Sequence, residues 1–521
     1  MNQSQSITEN NLAVDFYQVA AQFENNTALK YLSGEILTYR VLNYRSNQIA
    51  RQMLDMGIKL GDCLVIFNDK SSNAFSLMFA CIKIGVVYCN LDKNNPEQRL
   101  SKMLEVCQPV YIFDFYPHSH DELNDIRNKH SWPYLNCDKK FIKAFELQTG
   151  NNLIESNQIR GNSALYVVFT SGSTGTPKGA LISHDNIRHL INWSQKRLGI
   201  NQDDHLTNIN PIHFDNSVFD IYATLFSGAC LSPIESSYLS EPHLLVKAIE
   251  KLACNIWFSV PSLLVYLLTT KSWLRNQLPA LRKIIFGGEG FPKQHLKHLF
   301  KLIGSNCQLI NVYGPTECSC ICSAYTIQKQ DFDDMLELPP LGKIASHFNF
   351  KILDDDDSPA SSGELVLSGK SVGMGYINAA KQTSEHFYCE NDNLGIAHRH
   401  YKTGDIVQLK NQQLHFLGRK DNQIKHMGYR IELEEIENQV NAFKEVIESF
   451  AGYVKNDLYA GTIVLVVAMR KGHSIKQLKQ SLISDIAEFM RPKKIICLEI
   501  LPKNSNGKID RQFIRQEYLN S

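Results

Sequence analysis

The sequence predicts an α/β fold with an α+β cap: a large N-terminal body of α/β layers carrying an antiparallel subdomain, then a small, mobile C-terminal α+β domain. Three observations predict it. Apolar β-rich runs are each followed by a helix-period stretch, the pattern changes to short strands and turns near residue 340, and an amphipathic helix and an apolar strand follow residue 428. The first pattern comprises DCLVIFND (62–69) then SSNAFSLMFACIKIG, ACNIWFSVP (253–261) then SLLVYLLTT, and LRKIIFGGEG (281–290) then KQHLKHLFKLI. Strand followed by helix, repeated, predicts helices on a largely parallel sheet. In FNFKILDDDDSPASSGELVLSG the short strands predict an antiparallel subdomain, with Asp354 to Asp357 as a solvated hairpin tip. Beyond LHFLGRKDNQIKHMG (414–428), RIELEEIENQVNAF predicts an amphipathic helix, GTIVLVVAMR (461–470) a strand, and 475–489 a second helix. A hinge around Arg419 to Asn422 divides the chain into a core of residues 1–420 and a cap of 421–521.

Composition narrows the class of function. A chain of 521 residues is too long for one core. With 54 basic and 53 acidic residues, its net charge of +1 gives no electrostatic footprint for nucleic acid or an anionic membrane, so small molecules and proteins are the expected partners. The start, MNQSQSITENNL, lacks a secretory pattern and no apolar run reaches membrane-spanning length, which predicts a cytoplasmic protein, expected to be a monomer. The 13 cysteines lack paired C-x-x-C knuckles and are expected to be free, mostly buried thiols. Cys318, Cys320 and Cys322 would share one face of a strand, and without a second pair they do not make a zinc site. His295 and His298 are expected on a solvated helix face.

The stretch YVVFTSGSTGTPKGALISH (166–184) concentrates glycine, hydroxyl side chains and one lysine behind an apolar run. Such a loop can cradle phosphate, because glycine lets backbone N–H groups approach an oxyanion while hydroxyls and lysine add donors and charge. The lysine follows proline in Thr176-Pro177-Lys178-Gly179, so the spacing is not that of a Walker A loop. Standing alone, the stretch reads more readily as a surface turn between two elements than as a phosphate loop.

Further stretches decide between these readings: NVYGPTE (311–317), GELVLSGKSVGMGYIN (363–378), YKTGDIVQL (401–409), GRKDNQIKHMGYRIELEEIE (418–437) and NSNGKIDR (504–511). With the glycine loop, and in this order, they resemble the adenylate-forming enzymes, which include acyl-CoA synthetases and amino-acid adenylation domains. The resemblance implies ATP and Mg2+ as cofactors. It implies that Thr170, Ser171, Gly172, Ser173, Thr174, Gly175 and Lys178 hold the β- and γ-phosphates, with Asn311, Tyr313 and Gly314 around the nucleotide and Tyr313 stacked on adenine. Thr316 would donate to the α-phosphate, Glu317 would ligate magnesium, and Asp405 with Arg419 would bind the ribose. Lys508 would reach from the cap to the reacting carboxylate and α-phosphate as the catalytic lysine, and Asp421 would be the hinge about which the cap turns between adenylation and thiol transfer.

The stretch PIHFDNSVFDIYATLFSG (211–228) bears on the substrate. By pattern alone Asp215 could cap a helix beginning at 216 or 217. By resemblance to amino-acid adenylation domains, it pairs with the substrate's α-ammonium. The same resemblance places Asn216, Phe219, Phe258, Ile285, Gly287, Val312, Cys320 and Ile321 around the side-chain pocket, where two phenylalanines shrink it and Gly287 opens one side. A small or medium uncharged amino acid is expected. FDNSVFDIYATLFSG, GGEGFP and GYRIELEEIE are most similar to free-standing enzymes such as the D-alanine:carrier-protein ligases, with two departures. Gly287 stands where those ligases have cysteine, and His426 precedes Met427-Gly428 where many peptide-synthetase domains have arginine before the glycine. No carrier module is read after Lys508, so the acceptor is expected to be the phosphopantetheine thiol of a carrier protein supplied in trans. The alternatives are an acyl-CoA synthetase that uses coenzyme A, and a catalytically silent nucleotide-binding relative.

Overall fold

Runs apolar on every residue, such as Cys63–Phe67 and Val87–Leu91, suit central strands whose two faces are both covered. In the computed structural model both are buried along their whole length and pair in parallel. The structure describes residues 11–116, 132–172, 175–392, 394–454, 461–504 and 508–519. Among these, two large sheets form the body. One has seven strands, in the order Gly375–Tyr376, Lys178–Ser183, Ala164–Thr170, Val87–Leu91, Cys63–Phe67, Tyr111–Asp114 and Tyr134–Asn136. The other has nine, with Gln308–Tyr313, Lys283–Gly287, Ile256–Ser259, His205–Asn208, Cys230–Pro233 and Thr27–Lys30 parallel in its middle and antiparallel strands at its edges.

Helix Asp215–Leu225 is buried from Ser217 onward because it lies between these sheets. Its Tyr222 hydroxyl pairs with that of Tyr88 at 2.7 Å, and it packs against strands of the other sheet. Covered on both sides, the helix fixes where its first residue, Asp215, emerges.

The antiparallel subdomain forms as expected. Phe348–Leu353 pairs with Ser362–Gly369, and the intervening tip is exposed at Asp355, Asp356 and Asp357, the last with φ +57°. The sheet continues through Ala397–Lys410 to Phe387–Asn391 and to Gln413–Arg419, whose last residue begins the proposed hinge.

Residues 431–519 build cores that share no buried residue with those of the body. Strand Thr462–Met469 divides them by simple alternation: Ile463, Leu465 and Val467 enter one cluster, while Val464, Val466 and Ala468 enter the other. Three expectations are corrected here. The amphipathic helix begins at Leu433, not Arg430, because Met427 and Gly428, both at positive φ, make a two-residue turn that folds Tyr429–Glu432 back on Gln423–His426 as a hairpin. The helix expected to reach 489 ends at Asp485, followed by a 3-10 turn at Glu488–Met490. Cys318, Cys320 and Cys322 do not share a strand face, since Ser319 and Cys320 are left-handed and the strand starts at Ser323.

All 13 cysteines are free thiols, and only Cys389 and Cys497 are exposed. Among the described residues no helix is long and apolar enough to cross a membrane. Leu465 lies fully buried in the central cap strand, so Leu465→Ala is expected to destabilise the cap by about 2–5 kcal/mol, read as a lower urea midpoint for the C-terminal unit. A midpoint equal to that of the unaltered chain would contradict the cap core described here.

Candidate active site

The glycine loop joins strand Ala164–Thr170 to strand Lys178–Ser183, which pair antiparallel, so it is a strand–loop–strand device rather than the strand–loop–helix of a Walker motif. At Gly172 a Cβ would come within 2.1 Å of the Thr176 carbonyl oxygen, so the loop closes only around glycine. The turn is held by the Gly175 N–H donating to the Gly172 carbonyl at 2.9 Å. Thr170 Oγ1 is buried without a hydrogen-bond partner among the described residues, as suits a hydroxyl that meets an oxyanion. Lys178 is buried, with Nζ 3.4 Å from His386 Nε2 and 5.7 Å from the Tyr376 ring centre. Ser173 and Thr174, also assigned to the phosphates, lie outside the described residues.

Across the loop, NVYGPTE ends in a short helical turn that buries Glu317 completely. Its Oε1 accepts from the Tyr376 hydroxyl and its Oε2 from Arg430 Nη1, both at 2.7 Å. Burial alone would raise this carboxyl, but the guanidinium and the phenol outweigh it and hold the group at about 2. It is therefore an ionised carboxylate inside the protein, and a divalent cation suits it. Thr316 Oγ1 donates to Asp215 Oδ2 at 2.6 Å. Phe214 is the N-cap of the Asp215 helix and makes no side-chain capping bond, so the helix-cap reading of Asp215 fails. Asp215 instead turns to the cavity, its carboxyl raised by burial against the opposing effect of the Thr316 bond.

The residues expected at the ribose form a chain. The Tyr313 hydroxyl donates to Asp405 Oδ2 at 2.6 Å, Arg419 Nη1 donates to Asp405 Oδ1 at 2.8 Å, and Arg419 Nε donates to Asp421 Oδ1 at 2.8 Å. The expected hinge residue is thus tied to the expected ribose site through one guanidinium. Tyr313 and Asn311 also line a second cavity with Gly288, Glu289, Phe291, Leu338, Pro339 and Lys425. Asn311 Nδ2 is committed to the Pro340 carbonyl at 2.8 Å.

Asp215, Asn216, Phe258, Gly314, Val312, Cys320 and Ile321 line one cavity with Thr316, Asp405 and Arg419. Phe219, Ile285 and Gly287 do not line it. Phe219 and Ile285 are fully buried, and Phe219 supports Phe258 edge-on with ring centres 5.2 Å apart. Gly287 does not open the pocket: a Cβ there would lie 2.4 Å from the Val312 carbonyl oxygen on the neighbouring strand. The next residue, Gly288, lines the cavity instead.

The cap contributes what sequence reasoning did not assign. Gln423, Lys425, Gly428 and Arg430, from the hairpin, line the same cavity. Lys425 Nζ lies 5.5 Å from the Tyr313 ring centre, in a position where burial lowers its pKa and Asp405 opposes that. The alternation of Gln423 and Lys425 about a Met-Gly turn was the available signal. Lys508 is exposed and does not line the cavity in this arrangement; its N–H donates to Asn504 Oδ1 at 3.1 Å.

A profile of the AMP-binding enzymes matches residues 16–377. The chain belongs to the AMP-binding enzyme family. It is an ATP-dependent, AMP-forming ligase. Over 482 residues it is 30% identical to the L-proline--[L-prolyl-carrier protein] ligase of Pseudomonas fluorescens, covering 92% of this chain and 93% of the relative. Over 495 residues it is 31% identical to the D-alanine--D-alanyl carrier protein ligase of Staphylococcus aureus, covering 94% and 95%. Its fold matches NpsA-ThdA, an artificially fused adenylation-PCP di-domain NRPS from Klebsiella oxytoca, with a TM-score of 0.81 at 21% identity over 94% of each chain. It also matches the o-succinylbenzoate CoA synthetase of Bacillus subtilis, with a TM-score of 0.82 at 21% identity over 98% of this chain and 99% of the other. Gly287→Ala is expected to cost about 1–3 kcal/mol, because the blocking atom is backbone, and to lower the melting temperature. A variant that melts with the unaltered chain would refute the clash.

Proposed function

We propose that this ligase activates the carboxylate of a small or medium uncharged amino acid with ATP, forming aminoacyl-AMP and pyrophosphate, and passes the aminoacyl group to the phosphopantetheine thiol of a separate carrier protein. The observation that carries the amino-acid part is Asp215, a carboxylate on a cavity that Asn216, Phe258, Val312, Cys320 and Ile321 also line, along with the charged Asp405, Arg419, Lys425 and Arg430 on which the nucleotide and the cap draw. A carboxylate there is stabilised by a ligand cation, and an α-ammonium supplies one. No charged group stands among those other five, which favours an uncharged substrate side chain. The names of the two curated relatives support a carrier protein as acceptor.

In the first step a substrate carboxylate oxygen attacks the α-phosphorus and pyrophosphate leaves, so the protein's task is to hold two anions in line and offset their charge. Asp215 fixes the amine end, Thr316 stands between it and the phosphate chain, and Asp405 with Arg419 holds the ribose. Glu317, buried and ionised next to the loop, would hold Mg2+, which when bound offsets phosphate charge. Lys508 would stabilise the charge that develops as the bond to phosphorus forms. With Lys508 exposed and the hairpin of Gln423–His426 and Tyr429–Glu432 against the cavity, the arrangement described here suits the second step, in which a thiol attacks the acyl carbonyl and AMP leaves. The cap of 421–521 would turn at Asp421 between the two.

Pyrophosphate exchange over the proteinogenic amino acids, D-alanine, β-alanine and amine-free acids tests this reading. One strong amino-acid signal is expected, and signal confined to amine-free acids would overturn the role of Asp215. Asp215→Ala is expected to lower kcat/KM for the amino acid by an amount corresponding to about 2–5 kcal/mol while sparing amine-free analogues. An equal loss for both would return Asp215 to a structural role. Lys508→Ala is expected to cost about 10²–10³-fold in adenylation with nucleotide affinity retained, and unaltered exchange would remove it from the mechanism. Acyl transfer to coenzyme A in preference to a carrier protein would place the enzyme with the CoA synthetases.

A further inference from the structure

The lysine that closes the glycine loop is a buried cation held by uncharged groups. Among the described residues the one hydrogen bond of Lys178 Nζ goes to His386 Nε2, a long bond at 3.4 Å, and the Tyr376 ring centre lies 5.7 Å away. A charged ammonium has no lone pair, so Lys178 donates and the imidazole accepts, which leaves the ring neutral with its proton on Nδ1. Burial, and after it the neighbouring ammonium, holds the imidazole below its ordinary pKa, in keeping with that state. His386 stands 208 residues from Lys178, and no sequence motif joins the two.

The fold fixes His386 from both sides. It ends the helix Ala380–His386, in which Thr383 Oγ1 accepts from the Tyr376 N–H at 2.9 Å and so ties the helix to the strand Gly375–Tyr376, the partner of Lys178–Ser183. The next residue, Phe387, is buried and starts the strand paired with Ala397–Lys410, its ring centre 5.5 Å from that of Tyr376 and 4.8 Å from that of Tyr401. The His386 ring meets the Tyr376 ring edge-on, at 6.2 Å and 87°. A lysine stem turns about several bonds, whereas this imidazole is clamped between a helix end and a buried phenylalanine. The acceptor is therefore the fixed partner, and the ammonium takes its direction from it.

We infer that His386 is a positioning residue for the polyphosphate: its Nε2 takes one donor of Lys178 and thereby aims the other donors of that ammonium at the β- and γ-phosphates of ATP. The inference rests on the adenylation reading above for the identity of the ligand. An ammonium has three donors, so one spent on the imidazole leaves two for phosphate oxygens. The choice of residue type matters. A carboxylate at this position would orient the lysine equally well but would cancel the charge that attracts the phosphates, while a neutral imidazole orients it and leaves the charge for the ligand. AMP has no β- or γ-phosphate, so its binding does not draw on this pair.

The test is calorimetric titration of the full chain with ATP and with AMP, each in the presence of Mg2+. His386→Leu fills similar space but cannot accept, and it is expected to weaken ATP binding by about 3- to 10-fold, the size of one net hydrogen bond, with AMP affinity unmoved. His386→Gln, whose amide oxygen can accept at about the reach of Nε2, is expected to restore most of the ATP affinity. Unchanged ATP affinity in the leucine variant, equal weakening of ATP and AMP, or a glutamine variant as weak as leucine overturns the inference. A double-mutant cycle separates positioning from packing: in the Lys178→Ala background, adding His386→Leu is expected to cost no further ATP affinity, because the residue acts through that ammonium. A further loss of the same size in that background overturns it. A chain whose variants follow this pattern but which adenylates no acid would overturn the functional reading while supporting the inference. One that adenylates an amino acid with ATP affinity indifferent to His386 would overturn the inference alone.

Discussion

Everything in this site is arranged around one buried charge. Glu317 has no exposure to solvent and remains ionised, which a carboxylate can do inside a protein only if a cation stands against it. In the arrangement described here that cation is Arg430, delivered by the cap. A magnesium ion would meet the same need from the ligand side. The body thus supplies the anion and the cap the cation, so in this arrangement the position of the cap and the charge balance of the site are tied together.

A second chain of charges ties the hinge to the same place. Arg419 spans Asp405, assigned to the ribose, and Asp421, assigned to the turning point, and the Tyr313 phenol fixes Asp405 from the far side. The strand Gln413–Arg419 is held in the antiparallel sheet by its pairing with Ala397–Lys410, so Arg419 is anchored before the chain leaves for the cap. If the chain turns at residues 420–422 as proposed, the hairpin would reorient while the groups proposed for the ribose stay fixed. A flexible linker placed farther from the site could move the cap, but would not couple that movement to the nucleotide.

How much of this the sequence revealed depended on range. The central strands were legible because Cys63–Phe67, Ile256–Ser259 and Lys283–Gly287 are short apolar runs, and burial on two faces leaves that mark in composition. Order of motifs identified Glu317, Asp405 and Lys178 as belonging together, and the structure does gather Glu317 and Asp405 with Asp215 about one region. Local signals failed where backbone geometry decides. Gly287 and Gly288 are identical in type, and the Val312 carbonyl 2.4 Å from the position of a Cβ marks the packed one, while the one that lines the cavity has φ +89°. Arg430 carried helix-like periodicity with the residues after it, but the Met427-Gly428 turn made it part of a hairpin. No local pattern could say which cap residues would meet the body, because those pairings cross hundreds of positions.

The same distinction explains why Asp215 is better read with its surroundings than by its motif. An aspartate in the first turn of a helix always has a local use, since the helix N-terminus favours a negative charge. Here the helix gets no side-chain cap from Asp215 or from Phe214, and the carboxylate bonds instead to Thr316, 101 residues away on another element. The residue is held between the end of a helix clamped by two sheets and a threonine beside the buried Glu317. That geometry leaves a second carboxylate close enough to Glu317 for the two to repel. A local role does not require that placement; in the reading proposed above, the ammonium of the ligand joins Lys425 and Arg430 of the hairpin in offsetting the two carboxylates.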